Sequence, residues 1–149
     1  MPIADIANSI EVRQLKATDL AALDDLYAND QLLKAAGLVI DANPEFRQMV
    51  FSSWIDRGYL WGVFSHQLLI GTINLFPQEE IEIGYLLMPK YQHVGIMSAA
   101  VGQLLQKFSK RPIFAKVAVT NRPSQGVLQK NGFQLVAKQQ GWMRFLKND

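Results

Sequence analysis

The apolar positions of this chain change period several times, and each change marks an element. Ile10 to Leu15 alternates apolar and polar residues, which predicts a first strand. Thr18-Asp19 offers a helix start for Asp19 to Tyr27, with Leu20, Leu23 and Leu26 on one face. Asn29 to Asn43 has no clear period, and can hold a short helix over Gln31 to Ala36 ended by Gly37. Pro44 opens a helix through Ile55, with Phe46, Val50 and Trp54 spaced by four along its apolar face. Gly58 closes it. Two strands follow, Tyr59 to Phe64 and Leu68 to Phe76, joined by a turn at Ser65-His66-Gln67.

The stretch from Glu79 to Phe108 reads as strand, sharp loop and helix. Ile81 to Leu87 is apolar and β-favouring, with one carboxylate, Glu82, set among its residues. Pro89 ends the strand, since proline has no N–H to give to a ladder. Gln92-His93-Val94-Gly95 then turns the chain into a helix whose Met97, Ala100, Val101, Leu104, Leu105 and Phe108 recur at helical spacing. Arg111-Pro112 breaks that pattern. Ile113 to Thr120 is an apolar strand, expected to lie parallel to the Ile81–Leu87 strand because a helical crossover separates them.

Asn121 caps a last helix, with Pro123 inside its first turn, that runs to about Lys130 and stops at Asn131-Gly132. Phe133 to Lys138 and Trp142 to Leu146 form a closing hairpin around Gln140-Gly141. The order β-α-α-β-β-β-α-β-α-β-β predicts an α+β fold with a mixed sheet. Residues 1–149 are expected to form one domain, without repeat or linker.

Composition narrows the function classes. Hydrophobic residues make up 49% and charged residues 19%, the balance of a folded globular chain. The net charge is only +2. Lys107, Lys110, Arg111 and Lys116 are the nearest approach to a basic patch, and no aromatic-plus-basic module accompanies them, so nucleic-acid binding is not expected. Zero cysteines exclude disulfides, thiolate metal sites and a cysteine nucleophile, and fit a reducing cytoplasm. No apolar run approaches the roughly 20 residues that cross a bilayer, and the first residues lack the basic start and apolar run of a signal peptide, so no membrane partner is expected. His66 and His93 are distant, with no acidic residue at ligand spacing, so no metal site is expected either.

The candidate chemistry lies in the loop before Met97. A glycine at the mouth of a helix lets the first free N–H groups face a ligand closely, and the positive end of the helix dipole adds to their pull on phosphate. By itself this also describes a plain strand-to-helix connection that needs one glycine.

Two local patterns carry a resemblance to a family. Gln92-His93-Val94-Gly95-Ile96-Met97 resembles the Arg/Gln-x-x-Gly-x-Gly/Ala acyl-carrier motif of the GNAT superfamily of acetyl-coenzyme A-dependent N-acetyltransferases. Asn121-Arg122-Pro123-Ser124, followed by Leu128-Gln129-Lys130-Asn131-Gly132-Phe133, is similar to the signature of its RimJ/RimL-type branch, which Ile83-Gly84-Tyr85 also suits. Met97 and His93 depart from the family, standing where Gly or Ala, and Gly, are frequent. Leu128 occupies the usual position of a catalytic tyrosine.

The resemblance implies a three-layer fold, with a mixed, mostly antiparallel sheet whose central parallel strand pair splays apart. It implies direct attack of an amine on the thioester of acetyl-coenzyme A, the cosubstrate. The amides of Val94 to Ser98, with Gln92, His93, Gly95, Ile96 and Met97 in that loop, would hold the pyrophosphate. Backbone groups of Leu86, Leu87 and Met88 would hold the pantetheine arm, an N–H near Leu86 or Leu87 would meet the thioester oxygen, and Asn121 would contact the carrier from the far side or serve only as a cap. Glu82 is the candidate base, on the face shared with Gly84 and Leu86, or else a strand carboxylate paired with a nearby cation. Ser124 either hydrogen-bonds the departing thiolate or caps its helix; Tyr85 and Tyr91 are alternatives. Trp54, Trp61 and Trp142 are expected in the core, with Trp142 also placed to line the acceptor site.

The expected acceptor is a small-molecule amine or a peptide or protein N-terminus, and the assembly expectation is a homodimer. The rival reading is a module of the same fold that binds acyl-coenzyme A without turnover.

Overall fold

The computed structural model describes residues 9–28, 43–77, 79–108 and 111–148. They form one seven-stranded sheet: β1 (Glu11–Gln14), β2 (Leu60–Ser65), β3 (Leu68–Phe76), β4 (Ile81–Leu87), β5 (Ile113–Ala118), β6 (Gln134–Gln139) and β7 (Trp142–Lys147). The spatial order is β1-β2-β3-β4-β5-β7-β6, antiparallel throughout except for β4 beside β5. The helices are α1 (Leu20–Tyr27), α2 (Pro44–Asp56), α3 (Ile96–Leu105) and α4 (Arg122–Lys130), with short 3-10 turns at Ala17–Asp19 and Pro89–Tyr91. The short helix expected over Gln31 to Ala36 lies outside the described residues. Among the described residues, no helix is long and apolar enough to cross a membrane.

Two apolar layers sandwich the sheet. On one face α3 packs through Ile96, Met97, Ala100, Val101 and Leu104 against Ile81, Ile83 and Leu87 of β4, and Leu128 of α4 joins the same cluster. On the other face Leu23 and Leu26 of α1 and Phe51 and Ile55 of α2 cover Leu60, Phe64, Leu69 and Leu86. Alternation along β4 therefore holds: odd residues serve one layer, and Leu86 serves the other with Glu82 and Gly84 on its side. The Tyr27 hydroxyl is pinned to Thr72 Oγ1 at 3.0 Å, fixing α1 to β3 through two buried side chains.

Several expectations shift. The buried stripe of α2 is Arg47, Phe51 and Ile55, one position on from Phe46, Val50 and Trp54, and Phe46 is 50% exposed. Arg47 accepts burial because its Nε reaches Asp24 Oδ1 of α1 at 2.7 Å, a charge pair that an apolar count overlooks. Helix α3 ends at Leu105 rather than Phe108, whose ring instead meets Trp61 edge-on at 6.0 Å. Strand β5 ends at Ala118, two residues before Thr120, where the chain turns into the cap of α4. Trp142 is 46% exposed and stands outside the core. Ile70 is an extra residue between the pairs Val63↔Gly71 and Phe64↔Leu69; this bulge lets Ile70 and Ile73 share one face.

Candidate active site

Strands β4 and β5 pair only at Ile81↔Ile113 and Glu82↔Phe114, and beyond that point the ladder opens. Which backbone groups face the gap follows from the bonds on either side. The Met88 N–H is spent on Ile70 O at 2.8 Å, toward β3, whereas the Ile81 N–H reaches Pro112 O at 3.2 Å, toward β5. Backbone groups alternate sides along a strand, so the N–H groups of Tyr85 and Leu87 point into the gap. Those of Leu86 and Met88 point toward β3. Met88 O also accepts from Tyr91 N–H at 2.9 Å, so both backbone groups of Met88 serve the fold. Leu87 O accepts from the Gln92 side-chain amide at 2.8 Å, which ties the following loop to the end of the strand.

That loop bends through two left-handed residues, His93 with φ 68° and Gly95 with φ 85°. A side chain at Gly95 would meet no atom within 4 Å, so the glycine answers the backbone conformation and leaves open space at the helix mouth. The first N–H of this segment with a backbone acceptor is that of Ala99, bonded to Gly95 O at 3.1 Å. Among the described residues, the N–H groups from His93 to Ser98 have no acceptor within the protein. These free amides stand at the N-terminus of a ten-residue helix, where the helix dipole favours negative charge.

A cavity of about 310 Å3 joins the gap to this loop. Of the residues expected to hold a carrier, Leu86, Leu87, Gln92, His93 and Gly95 line it, as do Ile96, Met97, Ser98 and Asn121. Met88 and Val94 do not. The Met97 side chain is buried in the apolar layer, so its size takes nothing from the loop. Asn121 caps α4 by accepting from Ser124 N–H at 3.3 Å while also facing the cavity. The far wall is α4, where Pro123, Val127 and Lys130 line the cavity one helical turn apart. Sequence reasoning placed Pro123 and Lys130 in the helix and its motifs but gave none of the three a role in the site; their i, i+4 and i, i+3 spacing on an otherwise polar helix was the available signal.

Ser124 lines the cavity too, and its carbonyl oxygen accepts from the Tyr85 hydroxyl at 2.8 Å. Burial pushes the Tyr85 phenol up to about 12, so it stays protonated at neutral pH. Leu128 is fully buried and offers no hydroxyl. Glu82 lies on the sheet face opposite Tyr85, at the last closed rung of the β4–β5 pair, and does not line the cavity. Three residues of strand, about 10 Å, separate it from Tyr85. Tyr91 packs against the α3 layer and His66 sits in the β2–β3 turn. Among the described residues, no group of three acidic, histidine or cysteine side chains comes together to hold a metal.

No curated protein matches the chain. Solved structures do. One is RimL, a ribosomal L7/L12 α-N-protein acetyltransferase in complex with coenzyme A, with TM-score 0.79 and 19% identity over 96% of each chain. Another is spermidine N-acetyltransferase from Vibrio cholerae in complex with coenzyme A and spermine, with TM-score 0.78 and 17% identity over 94% of this chain and 95% of that one. PaiA N-acetyltransferase from Thermoplasma acidophilum, in complex with coenzyme A, gives TM-score 0.72 and 21% identity over 95% and 99%. At these identities the likeness is one of fold. The family description "Acetyltransferase (GNAT) domain" matches residues 9–134, most of the chain, and with the splayed strand pair and free amide loop already in place, this chain belongs to the GNAT acetyltransferases.

Proposed function

We propose that this chain moves an acetyl group from acetyl-coenzyme A to a primary amine, by direct attack of the amine on the thioester. The observation that carries the reading is the run of unbonded amides from His93 to Ser98, opening onto the gap between β4 and β5. The amides and the α3 dipole suit a diphosphate. The Tyr85 backbone groups and the Leu87 N–H give an extended amide-bearing arm an edge to pair with, as an added strand would. The N–H of Leu87 is the donor for the charge that builds on the thioester oxygen. A donor of this kind is typically worth about 10²–10³ in rate.

In the transfer a C–N bond forms as the C–S bond breaks, the amine loses a proton, and the thiolate leaves to be protonated. Glu82 stands five residues of strand, about 16 Å, before Leu87, so it accepts the amine proton through a chain of waters. An α-amine with pKa near 8 needs little help, since about a tenth of it is neutral at pH 7, whereas a lysine amine is almost wholly charged. The acceptor is a small-molecule amine or a protein N-terminus, the likeness to RimL supporting the RimJ/RimL-type branch, and the cysteine-free composition fits a cytoplasmic enzyme.

Calorimetric titration with acetyl-coenzyme A, followed by free-thiol release against a panel of amines and peptides, tests the reading. Micromolar binding with acceptor-dependent thiol release is expected. The buried Leu128, in place of a hydroxyl-bearing side chain, favours a second reading, a module that binds the carrier without turnover; binding without release across the panel would select it. No binding at all would end both.

A further inference from the structure

The sheet face that carries Glu82 holds a second charge without a partner, Lys116 on β5. Phe114 stands directly across from Glu82, and Lys116 follows two residues along β5 on the same face. Strand spacing and rise put the two Cα atoms at least roughly 8 Å apart, since the strands part beyond that rung. Among the described residues neither side chain has an ion pair or hydrogen bond.

The neighbouring charges cancel each other. Arg144 of β7 is paired in register with Lys116, a like-charge placement that is unfavourable by itself. Glu80 Oε2 binds the Arg144 guanidinium at 3.0 Å, and the same group lies over the Phe114 ring at 4.0 Å. Arg144 is thus turned toward Glu80 and Phe114, and Lys116 keeps an uncompensated cation. Around it Gln139, Gln140 and Trp142 complete an open depression of about 550 Å3, whose lining stops short of Glu82. Two amides and an indole beside a lone ammonium suit a carboxylate with some apolar bulk.

We propose that this face selects acceptors that bear a carboxylate close to the reacting amine, as a free amino acid does, with the amine directed toward Glu82 and the carboxylate toward Lys116. Separated cation and anion on one face are complementary to a zwitterion, and each would be left desolvated and unpaired by an acceptor lacking its partner. The proposal rests on the acetyl-transfer reading and narrows its acceptor.

The test is thiol release from acetyl-coenzyme A with matched acceptors: amino acids, their amides, the decarboxylated amines, and a peptide with an acidic first residue. The protein is compared with Lys116→Met and Lys116→Arg, each checked for an unchanged thermal midpoint. At least a tenfold preference in kcat/KM for the acid over its amide is expected, collapsing toward unity in Lys116→Met through a higher KM and retained in Lys116→Arg. Equal or better use of amides, or a ratio indifferent to Lys116→Met, overturns the proposal; preference for the acidic peptide over free amino acids overturns its small-acceptor form. If acetyl-coenzyme A binds but no acceptor releases thiol, the transfer reading falls separately. Saturation-transfer NMR with the same amino acids then decides this one, which fails if binding is absent or is equal in Lys116→Met.

Discussion

The Tyr85 hydroxyl donates to the Ser124 carbonyl oxygen at 2.8 Å, lacing β4 to the first turn of α4 across the gap where β4 and β5 part. Both residues line the cavity, so this bond sets how far α4 stands from the strand. Tyr85→Phe keeps the ring and removes the lace. We expect acetyl-coenzyme A affinity to fall about three- to tenfold, the scale of one part-buried hydrogen bond, with α3 and its loop unchanged. Calorimetry on the pair of proteins reads this directly, and equal dissociation constants would refute it.

The same phenol predicts an alkaline instability. Burial raises Tyr85 to about 12, so above pH 10 the unfolded chain releases this proton while the native state still holds it. The native state then binds more protons, and stability falls as pH rises, by roughly 1.4 kcal/mol per pH unit between 10 and about 12. Tyr27, also raised by burial beside Thr72, adds to the same slope. Urea unfolding at several pH values should give a shallower decline for Tyr85→Phe than for the parent; parallel lines would exclude Tyr85 as a source.

His93 holds φ 68° in the loop before α3, a conformation that costs a side-chain-bearing residue about 1–2 kcal/mol. This is a physical reason for glycine at the position. His93→Gly should raise stability by up to about 1 kcal/mol and His93→Val should lower it by at least as much. Chemical denaturation of the two variants checks the signs, and a stabilised valine variant would contradict the loop geometry.

Two glycines predict opposite signs for one substitution. A Cβ at Gly71 would lie 2.5 Å from Leu86 O, a backbone atom that cannot yield without moving β4, so Gly71→Ala should cost about 1–3 kcal/mol. At Gly126, inside α4, a Cβ meets nothing within 4 Å, and alanine should gain about 0.5–1 kcal/mol through helix propensity. Thermal midpoints of both variants, measured together, decide it.

Glu82→Gln tests the base. For an acceptor of lysine-like pKa, kcat/KM should drop about 10²–10⁴, with acetyl-coenzyme A affinity intact because Glu82 does not line the cavity. For an α-amine the loss should be much smaller. Equal small losses for both acceptors would mean that Glu82 has only a place in the sheet.

Local rules wrote much of this protein into its sequence. The Ile81–Leu87 strand, the proline that ends it, the Gly95 turn and the Asn121 cap are each set by backbone chemistry within a few residues, and each lies where the pattern put it. Alternation also fixed which side of β4 carries Glu82. What depended on partners distant along the chain was decided only in the fold. Arg47 displaced an apolar stripe because Asp24 waits on another helix. Met88 lost its backbone groups to Ile70 and Tyr91, and Leu87 kept an N–H facing the gap, because pairing with β3 assigned the sides. Lys116 has no ion-pair partner among the described residues, while Glu80 bonds the guanidinium opposite it. Periodicity shows which residues share a face, but what stands against that face is a matter of register between strands far apart in sequence, and register exists only once the sheet is assembled.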